Sequence, residues 1–288
     1  MKLALPFAKK HRVKKKWTGR RVTLTLSGWI IGLIFISPYI EMLITSVKPK
    51  REITAIPTAY LPTEWTWHNY IEVWTKIPLL GYIKSSFFIA LMATIIVLVL
   101  AIPAAHYSAR NKFRGRTIFL LLVLVTQMFS PTALVIGIFR EIVKFHLVDT
   151  YLALILVYAA FNMAFSIWIL SSFFASIPVE IEEAAWIDGA TRLQTLRKII
   201  LPLAIPGVVT AFIFTFIAAW NEFVIALTIT SSVNHQPLTV GLTSLIGQYQ
   251  VQWNFLFTGS LIAIVPVVIL FAAIEKYLVG GLTAGSVK

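Results

Sequence analysis

Six apolar stretches mark out the chain, at residues 22–46, 83–108, 117–138, 151–174, 203–228 and 257–279, separated by segments where prolines, charges and amides gather. Each holds 22 to 26 residues, and about 20 suffice for a helix to cross the hydrocarbon of a bilayer. The pattern predicts an all-α membrane protein with six transmembrane helices. Composition agrees with it. The chain is 58% apolar and 13% charged, with a mean hydropathy of +0.82, whereas soluble domains carry about a quarter charged residues. The first stretch is longer than the roughly 7 to 15 apolar residues at the heart of a secretory signal peptide, so it is expected to be a true span.

Twenty-five Lys and Arg stand against 12 Asp and Glu, a net +13. In a soluble chain that balance would point to nucleic acid; here its placement points elsewhere. Residues 1–21 hold nine basic side chains and no acid, and Arg110, Lys112, Arg114 and Arg116 crowd one short segment. With Arg192, Arg197 and Lys198 and the C-terminal lysines, 18 basic residues fall on one side of the six spans and seven on the other. Basic loops stay in the cytoplasm, so both termini are expected there, and no nucleic-acid partner is needed to explain the charge. Lys14, Lys15 and Lys16 can add attraction to anionic lipid. The expected division is a basic cytoplasmic segment 1–21, a membrane domain 22–279 and a cytoplasmic tail 280–288.

Chemistry of other kinds is missing from the sequence. No Gly is followed by Lys, so the phosphate-cradling loop of a P-loop ATPase is absent; there is no H-E-x-x-H zinc motif, the five histidines are scattered, and there is no cysteine. No cofactor or metal is expected on this chain, and it is not expected to be an enzyme. The outer loop 47–82 is long, proline-punctuated and rich in Trp and Tyr, which fits an interfacial aromatic belt or a docking surface for an external partner. The last outer loop, 229–256, has no charged residue but many amides, a composition suited to a vestibule for a neutral polyhydroxylated ligand and equally to a re-entrant segment. Inside the spans, Asn162, Trp220, Asn221 and Glu222 are the candidates for a polar substrate pathway, with Gln127 nearby in kind. Interhelical hydrogen bonding explains such residues equally well. Pro103, Pro131 and Pro266 are expected to kink their helices.

The most informative segment is 175–202, ASIPVEIEEAAWIDGATRLQTLRKIILP. Pro178 fits a first helical turn, and Glu180, Glu182 and Glu183 follow where negative charge meets the positive end of a helix. Gly189 can supply the left-handed conformation that stops it. Thr191 and Gln194 then form a possible capping box opening a second helix, which Pro202 and Pro206 lead into the fifth span. Two short helices joined by a sharp turn are therefore predicted on the cytoplasmic side.

Glu183-Ala184-Ala185, Gly189-Ala190 and the later Ile199-Ile200-Leu201-Pro202, followed by Pro206, resemble the EAA loop of ABC importer permeases. Ala219-Trp220-Asn221-Glu222-Phe223, Pro237-Leu238-Thr239-Val240-Gly241-Leu242 and the terminal Gly281-Leu282-Thr283-Ala284-Gly285-Ser286-Val287-Lys288 are similar to the carbohydrate branch of that family, in particular to the G-type subunit of maltose-transporter-like systems. The resemblance implies a type I permease fold and coupling to ATPase subunits through Glu183, Ala184, Ala185, Asp188, Gly189, Ala190, Leu201 and Pro202. It also implies a tail that reaches those subunits through Gly281, Thr283 and Gly285. The implied partners are a homologous F-type permease subunit, two ATPase subunits carrying ATP and Mg, and an extracytoplasmic solute-binding protein; the implied cargo is a sugar or oligosaccharide. A polyamine or phosphate ester importer, or a membrane scaffold or channel without ATP coupling, are the competing possibilities.

Overall fold

The computed structural model describes residues 19–57, 59–111 and 114–284, all of it helices and the turns between them apart from one isolated bridge. The first 18 residues of the expected basic segment, with Lys112, Gly285 and the last three residues, lie outside the described residues. Helix α1 (Gly19–Ser46) is followed by two short helices, α2 (Lys50–Ile53) and α3 (Asn69–Lys76), and then by α4 (Leu79–Arg110). Ala90, Ala93, Val97, Ala101 and Ala105 are fully buried along one stripe of α4. Their small side chains let α7 (Tyr151–Ser176) lie close alongside, the device that membrane helices use where lipid is as apolar as the interface.

Between these two helices the structure departs from the expected third span, 117–138. The chain forms α5 (Arg116–Thr126) and α6 (Pro131–Lys144), with residues 127–130 outside any helix. Pro131 has no N–H to continue a helix, and Ser130 before it is extended (φ −67°, ψ 131°), the conformation that a following proline imposes. Pro103 and Pro266, by contrast, sit inside unbroken helices. The expected fifth span, 203–228, is also interrupted. Arg192–Leu203 meets α11 (Ile205–Asn221) at an angle of 79°. Glu222 and Phe223 then separate α11 from α12 (Val224–Ile229). After α13 (Leu238–Gly241), the last long helix, numbered α14 with the elbow helices α8 to α10 described below, runs Trp253–Ala284 and so carries Gly281 and Thr283 past the expected span end at 279. Among the described residues, four helices are long and apolar enough to cross a membrane, and a fifth if the bent pair is one span.

Hydrogen bonds sort the helix ends. At one end, Asn69 Nδ2 donates to the Ser46 carbonyl (2.8 Å) and Thr258 Oγ1 to Asn254 and Ser46 carbonyls, fastening α1, α3 and α14 together. The Leu238 N–H donates to Ser86 Oγ (2.7 Å), and Tyr151 and Ser85 pair through their hydroxyls. The long connection between α1 and α4 is stapled too: Thr66 N–H to Val47 O, Lys48 Nζ to Ala59 O, and the N–H and hydroxyl of Thr63 to Glu52. Its Trp65, Trp67 and Tyr60 nevertheless stay exposed. The opposite end of α4 meets the segment 177–203.

Asp149 closes the end where α7 begins. It adopts φ 58°, a left-handed conformation that Asp tolerates better than most, and accepts from the N–H groups of Ser231 (2.9 Å) and Ser232 (3.0 Å) and from His235. Burial pushes this carboxyl up, but the hydrogen bonds from Ser232, Ser231 and His235 together outweigh it and hold Asp149 well below the usual carboxylate range. A depressed folded-state pKa contributes stability above the unfolded value that is lost only as pH falls through the folded one. Hydrogen exchange at the Ser231 and Ser232 amides is therefore expected to stay protected at pH 5 as at pH 7, and to lose protection at both in Asp149→Ala.

Candidate functional site

The segment predicted as two helices and a turn is built that way. Helix α8 runs Glu180–Ile187, with Glu180, Glu182 and Glu183 in its first turn. Pro178 lies just before it, in the turn that opens the helix, and not within its first turn. Gly189 (φ 84°) ends the helix. Its N–H donates to Trp186 O (3.0 Å) and that of Ala190 to Ala185 O (2.9 Å), the paired bonds of a Schellman motif. No atom lies within 4 Å of where a Cβ on Gly189 would stand, so glycine is required here for conformation and not for space.

The second helix opens on a capping box: Thr191 N–H donates to Gln194 Oε1 (2.9 Å) and Gln194 N–H to Thr191 Oγ1 (3.3 Å). It runs through α9 (Arg192–Thr195), a π-helical stretch Leu196–Ile200 and α10 (Leu201–Leu203). The π turn lies just before Pro202, which has no N–H and cannot donate the ordinary helical bond to the Lys198 carbonyl. Arg192 lies over the Trp186 ring (5.8 Å) and ties the two helices of the elbow together.

The two faces of α8 differ sharply. Glu183, Ala184 and Asp188 are exposed, while Ala185 and Glu182 are buried. Leu201 is half-buried and Pro202 exposed. Ile187 is 86% exposed and Leu193 63%. These apolar side chains and the free carboxylate of Glu183 make up the outward surface of the elbow.

The buried acid is the residue that sequence reasoning missed. Glu182 Oε1 accepts from Arg110 Nε at 2.6 Å and lies 3.2 Å from His106 Nε2; Arg110 also donates to the Ile177 carbonyl (2.9 Å). The side chains of Arg110 and Glu182 are 10% and 2% exposed. The last turns of α4 are thereby clamped to the base of the elbow. In the sequence Arg110 was one member of a basic cluster that topology already explained. The signal lay in the three-residue spacing of Glu182 and Ala185, which puts both on one helix face and Glu183 on another.

Within the membrane region the four pathway candidates do not converge. Asn162 and Glu222 line one cavity, together with Gln127, Phe129, Tyr158 and Phe161. Trp220 and Asn221 line a different one of about 690 Å³, between α11, α13, α14 and α1. Trp220 is itself buried and stacked on Phe216, which stacks in turn on Phe212, an i, i+4 aromatic column along α11. Glu222 caps the broken helix: its carboxylate accepts from the N–H groups of Ile225 (2.8 Å) and Ala226 (3.1 Å) and from the Tyr158 hydroxyl (2.9 Å). Among the described residues no group of His, Asp and Glu is arranged to hold a metal ion.

Known proteins resemble the chain along most of its length. Residues 97–283 match the family described as binding-protein-dependent transport system inner membrane component. Over 273 residues the chain is 34% identical to the trehalose/maltose transport system permease protein MalG of Thermococcus litoralis, with 93% of this chain and 97% of that one covered. It is 35% identical over 251 residues to the sulfoquinovosyl glycerol transport system permease protein SmoH of Agrobacterium fabrum, covering 87% and 88%. Its fold matches a chain in the crystal structure of a bacterial ABC transporter involved in the import of the acidic polysaccharide alginate, with a TM-score of 0.77 at 23% identity over 91% and 99% of the two chains.

Proposed function

The chain belongs to the binding-protein-dependent transport system inner membrane components, the permease subunits of ABC importers, and on that footing we propose that it forms half of the pathway of a sugar importer driven by separate ATPase subunits. The observation that carries the reading is the elbow: a rigid helix, fixed at its base by buried charge, that presents Glu183 and the exposed Ile187 and Leu193 outward. Exposed apolar side chains grouped with an unengaged acid suit insertion into a cleft of a partner with a basic residue in it. Glu183, Ala184, Ala185, Asp188, Gly189 and Ala190 form this coupling element, and Leu201 and Pro202 join it to α11.

In this reading there are six crossings, α5 and α6 together making the third, with the elbow, the basic segment 1–21 and both termini in the cytoplasm. Gly281, Thr283 and Gly285 of the tail contribute contacts to the ATPase subunits. A homologous F-type subunit completes the pathway and an extracytoplasmic binding protein delivers solute to the outer end. The names of the relatives support a sugar as cargo. The test is co-purification: the membrane-extracted chain is expected to bring down an ATPase subunit whose hydrolysis rises with solute-loaded binding protein. A chain purified alone, conducting solute without ATP, would establish the channel alternative instead.

A further inference from the structure

Two of the helix interruptions open onto the same cavity. Gln127, Phe129 and Pro131 come from the break between α5 and α6, Glu222 from the break between α11 and α12, and between them α7 supplies Tyr158 and Asn162. The space, partly open to the surface, is about 180 Å³. Where unwound backbone meets at depth in a membrane it is tolerated because it lines a cavity, and such places are where transported solutes bind.

The hydrogen-bonding capacity of the lining is unequally distributed. Glu222, the strongest acceptor present, already accepts from Tyr158, Ile225 and Ala226. Gln127 Nε2 donates to the Phe161 carbonyl (2.9 Å) and Asn162 Nδ2 to the Tyr158 carbonyl (2.8 Å). Each amide thus has one N–H engaged and its side-chain carbonyl free. No Lys, Arg or His lines the space. A ligand that fits must bring hydroxyl groups and an apolar ring face for Phe129 and Phe161; it must not bring an anionic group, which would find a carboxylate and no cation.

We propose that this cavity is a passage subsite for one ring of a neutral, hydroxyl-rich sugar, with the Gln127 and Asn162 side-chain carbonyls as acceptors and Glu222 as a positioning residue that holds the α12 break open. The inference rests on the reading of the chain as a sugar-importing permease and narrows it to uncharged sugars.

The complete transporter, reconstituted with its ATPase, partner permease and binding protein, tests it with trehalose and maltose as neutral probes and sulfoquinovosyl glycerol as the anionic one. Uptake of a neutral probe is expected. The double variant Gln127→Leu/Asn162→Leu should lower its maximal rate about tenfold, as loss of two ordinary hydrogen bonds from the passage state would. The half-saturating concentration should stay unchanged, because capture occurs on the binding protein. Gln127→Glu keeps an acceptor and should retain at least half the rate, while Gln127→Lys, donor only, should fall with leucine; this pair decides the matter if the double variant does not assemble. Preferential uptake of sulfoquinovosyl glycerol, or leucine variants that transport at the original rate, would overturn the subsite and leave the sugar reading standing.

Discussion

A chain carrying Glu183→Lys is expected to insert and assemble with its partners yet lose substrate-stimulated ATP hydrolysis. Glu183 lies on the exposed face of α8 beside Ala184, and surface substitutions of this kind usually change stability by no more than about 0.5 kcal/mol. The charge reversal acts at the partner, where an attraction becomes a repulsion. Gly189→Val should give the same phenotype by another route. A side chain there meets no neighbour within 4 Å, but a φ of 84° costs a non-glycine residue about 1–2 kcal/mol, and β-branching makes it worse. The Schellman turn then relaxes and the elbow yields under load. Driving a two-state transporter from about 1:99 to 99:1 takes roughly 5.5 kcal/mol, which a yielding connection does not deliver. Gly189→Asn is the control, because Asn enters the left-handed region readily, and it should retain much of the stimulation. Hydrolysis is measured in reconstituted vesicles with and without loaded binding protein, alongside co-purification of the subunits. Stimulation equal to that of the unaltered chain in both Glu183→Lys and Gly189→Val would show that the elbow does not carry the signal.

The clamp beneath the elbow should be the most sensitive single contact for the shape of this region. Removing one member of a buried ion pair leaves the other charge without compensation, at a cost of about 3–5 kcal/mol, whereas replacing both with apolar residues of similar size is often close to neutral. Arg110→Met and Glu182→Leu are thus each expected to release α8 from α4, and Arg110→Met/Glu182→Leu to restore it. The absence of native cysteine makes the measurement direct. Ala185, 5% exposed against the base of the elbow, is replaced by Cys and its labelling by a water-soluble maleimide is followed. Fast labelling in the single variants and slow labelling in the parent and the double variant is the expected pattern. Equal labelling in all four would mean that packing, and not the charge pair, seats the elbow.

What could be seen in advance divides along physical lines. The elbow was legible almost to the residue, because its turn and caps are local: a glycine at the left-handed position and a Thr–Gln box three residues apart specify their own hydrogen bonds. Helix ends of the long spans were placed within a few residues because hydropathy tracks the bilayer. The interruptions at 127–130 and 222–223 were not legible, since apolar composition continues across them and only Pro131 marks one. A proline alone does not decide, as Pro103 and Pro266 show by remaining inside unbroken helices. Glu182 and Arg110 lie 72 residues apart, and nothing in either neighbourhood announces the other. Likewise the grouping of Gln127 with Asn162 and Glu222, and the separation of Trp220 and Asn221 from them, comes from how several helices cross and not from any one of them.

The turn around Gly189 draws its hydrogen bonds from residues 184 to 195, and no atom lies within 4 Å of where a Cβ on Gly189 would stand. Such a self-sufficient corner behaves as an interchangeable fitting. Transplanted with its flanking helices into a related permease, it should keep its angle, so that compatibility with a given motor protein can be exchanged between transporters by swapping the outward side chains alone.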